Sequence, residues 1–287
     1  MADNNKEGAD RPLPPVLPSR RKICIAIPSY TGMGHMRTHF SLIDGLLDLA
    51  SRGWEFTWIF RDHDSMIARG RNLMVSLFLY GEQYKDATDL VMIDSDLAWE
   101  SGALGRLCAH DVDVVGGAYP FKTDDLRFPM KFLDQPSELG PNGLMEVRGV
   151  TPGFFRMTRR ALERMTDLYR EELSFAERDV PNGSSVMLFE NCRRANGVWD
   201  EGFIFCERWR RMGEKVWVDP EIHMTHYGTK GFDGKLGDWL RGRITPDEAE
   251  KRRQSIRLIE DSLAAIEAIP KIAPMVVDGI QYGEAAE

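Results

Sequence analysis

The stretch of this sequence best equipped for chemistry is Asp94-Ser95-Asp96. It follows Leu90-Val91-Met92-Ile93, an apolar run that reads as a buried strand. Two carboxylates, one residue apart, therefore leave the chain where a core strand stops. In open α/β sheets, ligands collect outside the carboxyl ends of the strands. Neighbouring carboxylates repel each other unless positive charge lies between them, and a hard divalent cation with oxygen ligands supplies it. The tripeptide by itself is equally consistent with Asp94 capping a following helix and Asp96 lying in solvent.

The surrounding residues supply the alternation of an α/β domain. Residues 22–28 read as a first buried strand ended by Pro28, followed by a turn-rich loop at 29–34. A helix is predicted over 38–51 with Leu42, Leu46 and Leu49 on one face, then a strand over 54–60. Asp64-Ser65 can cap a helix running from Met66 to about Tyr80. The strand before Asp94 comes next, then a helix over 101–110, a strand over 112–118 and a loop at Tyr119-Pro120-Phe121-Lys122. This β-α-β-α-β-α-β succession implies a mostly parallel, doubly wound sheet with right-handed crossovers.

The second half is mixed. Short strands are expected at 129–134, 144–150 and 153–157, and a helix over 158–173 with Leu162, Met165 and Leu168 near one face. A loop at 181–185 follows, then a helix over 201–212 turning Phe203, Ile204 and Phe205 inward, and strands over 215–218 and 221–226. Residues 246–269 read as a charged amphipathic helix with Ile256, Ile259, Leu263 and Ile266 on one stripe. One α/β domain is thus expected over 21–240, with a disordered tail at 1–20 and a helical extension at 241–287.

Composition narrows the class. With 287 residues, 43% hydrophobic and 29% charged, the chain is an ordinary globular protein, and no apolar run approaches the ~20 residues that cross a bilayer. A net charge of -8 argues against coating nucleic acid by bulk charge, though not against a local basic groove. The polar, acidic first residues lack the apolar core of a secretory signal. Four scattered cysteines without a CxxC pair read as reduced thiols, so the expected location is cytoplasmic.

Six elements in order then resemble a known family: Pro28-Ser29-Tyr30 after the first strand, Arg69-Gly70-Arg71-Asn72 on a helix, Asp94-Ser95-Asp96, Gly153-Phe154-Phe155, Trp199-Asp200-Glu201-Gly202, and His226-Tyr227-Gly228. Over about 22–232 the chain resembles a GT-A fold glycosyltransferase of the family 2 kind, with a DXD motif, a nucleotide-sugar donor and a divalent metal. The resemblance implies a nucleotide-binding half at 21–120 and an acceptor-side half at 121–240. It implies that Asp96 binds the metal, that Asp94 reaches the ribose, the metal or both, and that His226 completes the set. Imidazole suits Mn²⁺ better than Mg²⁺. Taken alone, His226 reads as a strand-end histidine with a structural hydrogen bond; His223, three residues earlier, falls on the opposite strand face.

By the same resemblance Pro28, Ser29, Tyr30, Arg71, Asn72, Asp94 and Ser95 face the nucleotide sugar, a UDP-sugar first of all. Trp199 stacks on a sugar, and Lys122 and Lys230 contact phosphate or acceptor. Residues 149–155 form a floor whose glycines permit close backbone approach. The family carries an acidic pair at a helix start, one member of which is the general base of inverting enzymes. Here Glu201 is followed by Gly202 and preceded by Asp200, so the carboxylate is present but the pair is altered. Both acids also fit a helix start complementing the macrodipole. A carboxylate that reaches the acceptor gives inversion; without one, attack on the face of the leaving diphosphate gives retention.

The acceptor expected is a glycan, a lipid-linked sugar or a hydroxymethylated base of phage DNA. For the last, Arg159-Arg160, Arg193-Arg194 and the basic residues within 208–211 and 251–253 could contact phosphates, or be helix surfaces balanced by nearby acids. A nucleotidyltransferase ranks lower, because Thr31-Gly32-Met33-Gly34 is too sparse for its glycine-rich loop. The altered acidic pair also motivates a non-catalytic sugar-nucleotide or glycan-binding module on the same fold.

Overall fold

In the computed structural model, residues 21–134, 139–195 and 197–242 are described. The predicted helix at 246–269 and the predicted tail at 1–20 lie outside them. Residues up to Arg241 cluster as one compact unit. The chain runs β1 (Lys22–Ser29), α1 (Met36–Ser51), β2 (Glu55–Asp62), α2 (Ile67–Tyr80), β3 (Asp89–Ile93), β4 (Leu97–Trp99), α3 (Ala103–Ala109) and β5 (Val114–Gly117). Short strands β6 (Met130–Lys131), β7 (Met145–Val147) and β8 (Gly149–Val150) precede β9 (Phe154–Thr158) and α4 (Arg159–Leu173). Two hairpins follow, β10 (Ser174–Ala176) with β11 (Ser184–Val186) and β12 (Cys192–Arg194) with β13 (Gly197–Trp199). The described chain ends with α5 (Glu201–Arg211), β14 (Val216–Asp219), β15 (His223–Tyr227), β16 (Gly231–Lys235) and α6 (Leu236–Leu240).

The central sheet has seven strands in the order β2-β1-β3-β9-β5-β14-β7. β1 pairs in parallel with β2 and β3, and β5 with β14, while β9 and β7 run against their neighbours. Five of the seven strands therefore point one way, which is the mostly parallel α/β sheet expected. Strand alternation sorts the core into two layers. Cys24, Ala26, Leu90 and Met92 face α2, α4 and α5 through Phe78, Met165 and Trp209. Ile23, Ile25, Val91 and Ile93 face α1 and α3 through Leu49 and Leu104. β3 is buried along its whole length, as a strand covered on both sides must be.

Several local expectations change. β1 continues one residue past Pro28, because a proline in a strand forfeits only its own N–H. Asp64 is not the cap of α2: Met66 is, and the Asp64 carboxylate accepts from Met66 N–H and from Arg69. Leu168 lies 60% exposed on α4. No helix follows Asp94-Ser95-Asp96; the chain turns directly into β4, which pairs with β15. Part of the predicted 181–185 loop is β11. Among the described residues no helix is long and apolar enough to cross a membrane.

Three strands across the sheet from β3, β14 ends on an ion-pair cluster. The buried Asp219 carboxylate takes Arg106 Nε at 2.6 Å and faces His110 Nε2 at 2.7 Å. Burial alone would push Asp219 up, but the bonds from His110 and Arg106 hold it down to about 2. A folded-state value below the ordinary one means stability that is complete above about pH 4 and drains away as pH falls toward 2. Asp219→Asn is expected to cost about 2 kcal/mol at pH 7 and little at pH 2.5, read as urea midpoints across that range. An equal loss at both pH values would show that the charge is not what stabilises β14.

Candidate functional site

The acidic peptide is held by backbone bonds from three other segments. Asp94 N–H donates to Gly153 O at 2.8 Å, His35 N–H to Ser95 O at 2.8 Å and Tyr227 N–H to Asp96 O at 2.8 Å. It thus joins the loop before α1, the turn into β9 and the end of β15. A methyl group on Gly153 would lie 2.6 Å from Asp94 Oδ2 and from the Tyr119 hydroxyl, so only glycine permits this approach.

Asp96 and His226 face each other, with Nε2 3.6 Å from Oδ2. The other ring nitrogen, Nδ1, is 2.9 Å from Pro120 O. A carbonyl can only accept, so Nδ1 carries a proton and, in the neutral ring, Nε2 presents a lone pair to the carboxylate. A ring N–H given to a backbone carbonyl is the usual way a metal-binding histidine is oriented. Lys122 Nζ also lies 2.6 Å from Asp96 Oδ2. Burial opposes the Asp96 charge, but His226, when its ring carries both protons, and Lys122 outweigh it and hold the carboxyl down to about 2. His223 turns the other way, toward Asp233.

Asp94 is occupied differently. Arg71, buried on α2, gives Nη2 to Asp94 Oδ1 at 2.7 Å, Nε to Glu201 Oε1 at 3.3 Å and Nη1 to Pro152 O at 3.3 Å. Burial works against the guanidinium charge, yet Asp94 and Glu201 more than compensate and raise its pKa. Its guanidinium is spent on protein groups and ties the acidic peptide to the start of α5. Asn72 is not in the cleft either. Its amide donates to Phe189 O at 2.8 Å and accepts from Phe189 N–H at 2.9 Å, both buried.

The two acids at the start of α5 have separate surroundings. Glu201 is buried on Arg71. Asp200 caps the helix by accepting from Phe203 N–H at 3.0 Å, and burial followed by the neighbouring Glu201 charge raises its pKa. The missing second acid after Glu201 has a steric reason: a Cβ on Gly202 would collide with the Pro152 ring. Beside Asp200, Lys131 Nζ sits 4.6 Å from the Trp199 ring centre and 4.7 Å from that of Phe203. Phe203, expected to face the core, is only half-buried and packs on Lys131; Lys131 does not stand out in the sequence, since a cation over two rings depends on long-range packing that no local pattern carries.

A cleft of about 360 Å³ opens beside the peptide, lined by Ser29, Gly34, His39, Arg61, Asp62 and Ser95. Ser29 and Ser95 therefore line one cleft. Pro28 is buried in β1, and Tyr30 is exposed beyond the cleft lining. His39 and Asp62 carry no motif in the sequence, but Asp62 ends the second parallel strand, where a ligand-facing side chain belongs. Lys230 pairs with Asp124. The basic clusters are largely engaged within the fold: Arg159 on three carbonyls, Arg160 on Asp113, Arg194 and Arg211 on Glu207, Arg208 on Glu190 and Arg210 on Glu146. Residues 251–253 lie outside the described residues.

Among the described residues no three His, Cys, Asp or Glu side chains gather closely enough to hold a metal by themselves. Asp96 and His226 fit a cation as a pair, whereas Asp94 is drawn aside by Arg71. No family model and no curated protein matches the chain. Among solved structures it is similar to A197 from STIV, at 21% identity over 76% of this chain and 91% of that one, with a TM-score of 0.44. It is also similar to a glycosyltransferase involved in the glycosylation of the major capsid of PBCV-1, at 12% identity over 52% of this chain and 68% of that one, with a TM-score of 0.28. At such scores neither likeness bears on activity, which has to be argued from the site.

Proposed function

We propose that the chain is a metal-dependent glycosyltransferase that moves a sugar from a nucleotide-sugar donor to a hydroxyl acceptor. The observation that carries this reading is the Asp96–His226 pair, two acceptor atoms facing each other at 3.6 Å at the end of a buried parallel strand. Asp96 and His226 would hold a divalent cation, Mn²⁺ before Mg²⁺ given the imidazole, with donor phosphates completing its coordination. A cation bound there offsets the negative charge that develops on the departing diphosphate. Lys122 brings a second positive charge to the same carboxylate. The cleft with Ser29, His39, Asp62 and Ser95 accommodates the nucleoside, and a UDP-sugar is the first donor to try.

Asp200 is the general base of this reading. Burial raises its pKa, which favours taking up a proton, while Glu201 is held on Arg71 and positions Asp94 through it. Trp199 and Phe203 beneath Lys131 provide a face for the acceptor. Because the basic clusters are engaged internally, a glycan or lipid-linked sugar fits better than DNA.

Two measurements test this. Mn²⁺-dependent release of nucleotide from a panel of UDP-, GDP-, ADP- and TDP-sugars is expected with at least one donor, and no release from any of them would overturn the reading. Asp200→Asn retains a good helix cap but no base, and is expected to lower kcat about 10²- to 10⁴-fold with donor KM little changed. An undiminished kcat would remove Asp200 from the role. The structural employment of both α5 acids favours one rival, a non-catalytic sugar-nucleotide-binding module. Donor binding by calorimetry with no turnover would select it.

A further inference from the structure

We propose that α1 packs antiparallel against α1 of a second copy of this chain, across a two-fold axis, making the protein a homodimer. One face of α1 is already used: Leu42, Leu46 and Leu49 pack into the core with α3. A second stripe points outward. Met36, Phe40, Ile43 and Leu47 are each more than half exposed, and their spacing of four, three and four residues is the seam of a two-helix packing. Soluble monomers seldom leave such a row uncovered. The apolar surface continues beyond the helix: Trp58 and Phe60 are exposed on β2, the edge strand beside α1, with ring centres 6.3 Å apart.

The stripe has the same spacing from either end. Reversed about its midpoint, Met36 meets Leu47 of the partner and Phe40 meets Ile43 of the partner, the self-complementarity that a two-fold axis demands. The charges beside it obey the same reversal. Arg37 and Asp44 lie seven residues apart on one flank of the stripe, and no ion pair or side-chain hydrogen bond within the described residues engages either side chain. Asp48, on the same flank, is already taken by Arg52 at 3.1 Å. An antiparallel partner brings Arg37 of one copy within about one helical turn of Asp44 of the other, twice per dimer. This charge complementarity selects a second copy as the occupant over a membrane, which would leave Asp44 against lipid.

The test is sedimentation velocity of the full chain over a concentration series, with Arg37→Asp, Asp44→Arg, the double exchange, and Phe40→Glu. Of the three positions Arg37 and Phe40 are exposed and Asp44 is half-buried, and circular dichroism checks the fold. The wild type is expected to dimerise, Phe40→Glu to be monomeric, and each single charge reversal to weaken association about tenfold or more. The double exchange is expected to recover most of the wild-type affinity. A wild type that stays monomeric to about 100 µM overturns the proposal. So does a dimer that ignores Phe40→Glu, a double exchange without rescue, or Phe40-dependent binding to phosphatidylcholine vesicles by a monomer.

Discussion

Replacing Asp96 by asparagine is expected to reduce donor turnover by about 10³-fold or more while leaving the fold intact. Asparagine has the same shape and keeps an oxygen toward Lys122 and His226, so packing is retained. What goes is the negative charge that a cation held between Asp96 and His226 would require. The carboxylate is partly open to solvent, with 38% of its side chain exposed, so its pairing with Lys122 is screened and its loss should change stability by less than about 1 kcal/mol. The measurement is kcat over a Mn²⁺ titration together with calorimetric Mn²⁺ binding and the melting temperature. A variant that keeps activity within about tenfold of wild type, or binds Mn²⁺ as before, would rule out a cation at this pair.

Arg71→Met is expected to injure stability and activity together. Methionine fills much of the arginine's volume but leaves Asp94 and Glu201 without the guanidinium that bridges them. Removing one partner from a buried ionic group costs about 3–5 kcal/mol, because the remaining charge stays desolvated. Arg71→Lys retains a charge but not the planar fork that reaches both carboxylates and Pro152 O at once. It should fall between wild type and Arg71→Met in urea midpoint. Neutralising the whole group, with Asp94→Asn and Glu201→Gln added to Arg71→Met, should recover much of the stability and none of the activity. A loss below about 1 kcal/mol in Arg71→Met would mean that the bridge does not hold the peptide in place.

Arg71 also shows where sequence reasoning reaches its limit. Its position inside an apolar helix marks it as unusual, and the resemblance points it at a ligand. Its actual partners come from β3 and α5, 23 and 130 residues away. Asn72 is the same case, its amide taken by the Phe189 backbone. Where burial is local the sequence is clear: β1 and β3 are unbroken apolar runs, and Asp94 emerges where β3 stops. The antiparallel insertion of β9 between β3 and β5 could not be read, since a short apolar run carries no direction. Gly202 is intelligible only afterwards, once Pro152 is found against it.

The three amide bonds that grip Asp94, Ser95 and Asp96 reach across long spans of chain, to Gly153, His35 and Tyr227. Contacts between residues so distant in sequence form late, after the cost of closing the intervening loops. On a ribosome the parallel strands β1, β2 and β3 can meet early, but His226 is not yet synthesised. The site is therefore assembled only when nearly all of the described chain has emerged, and a product cut short before His226 would carry both aspartates without the ring that faces Asp96.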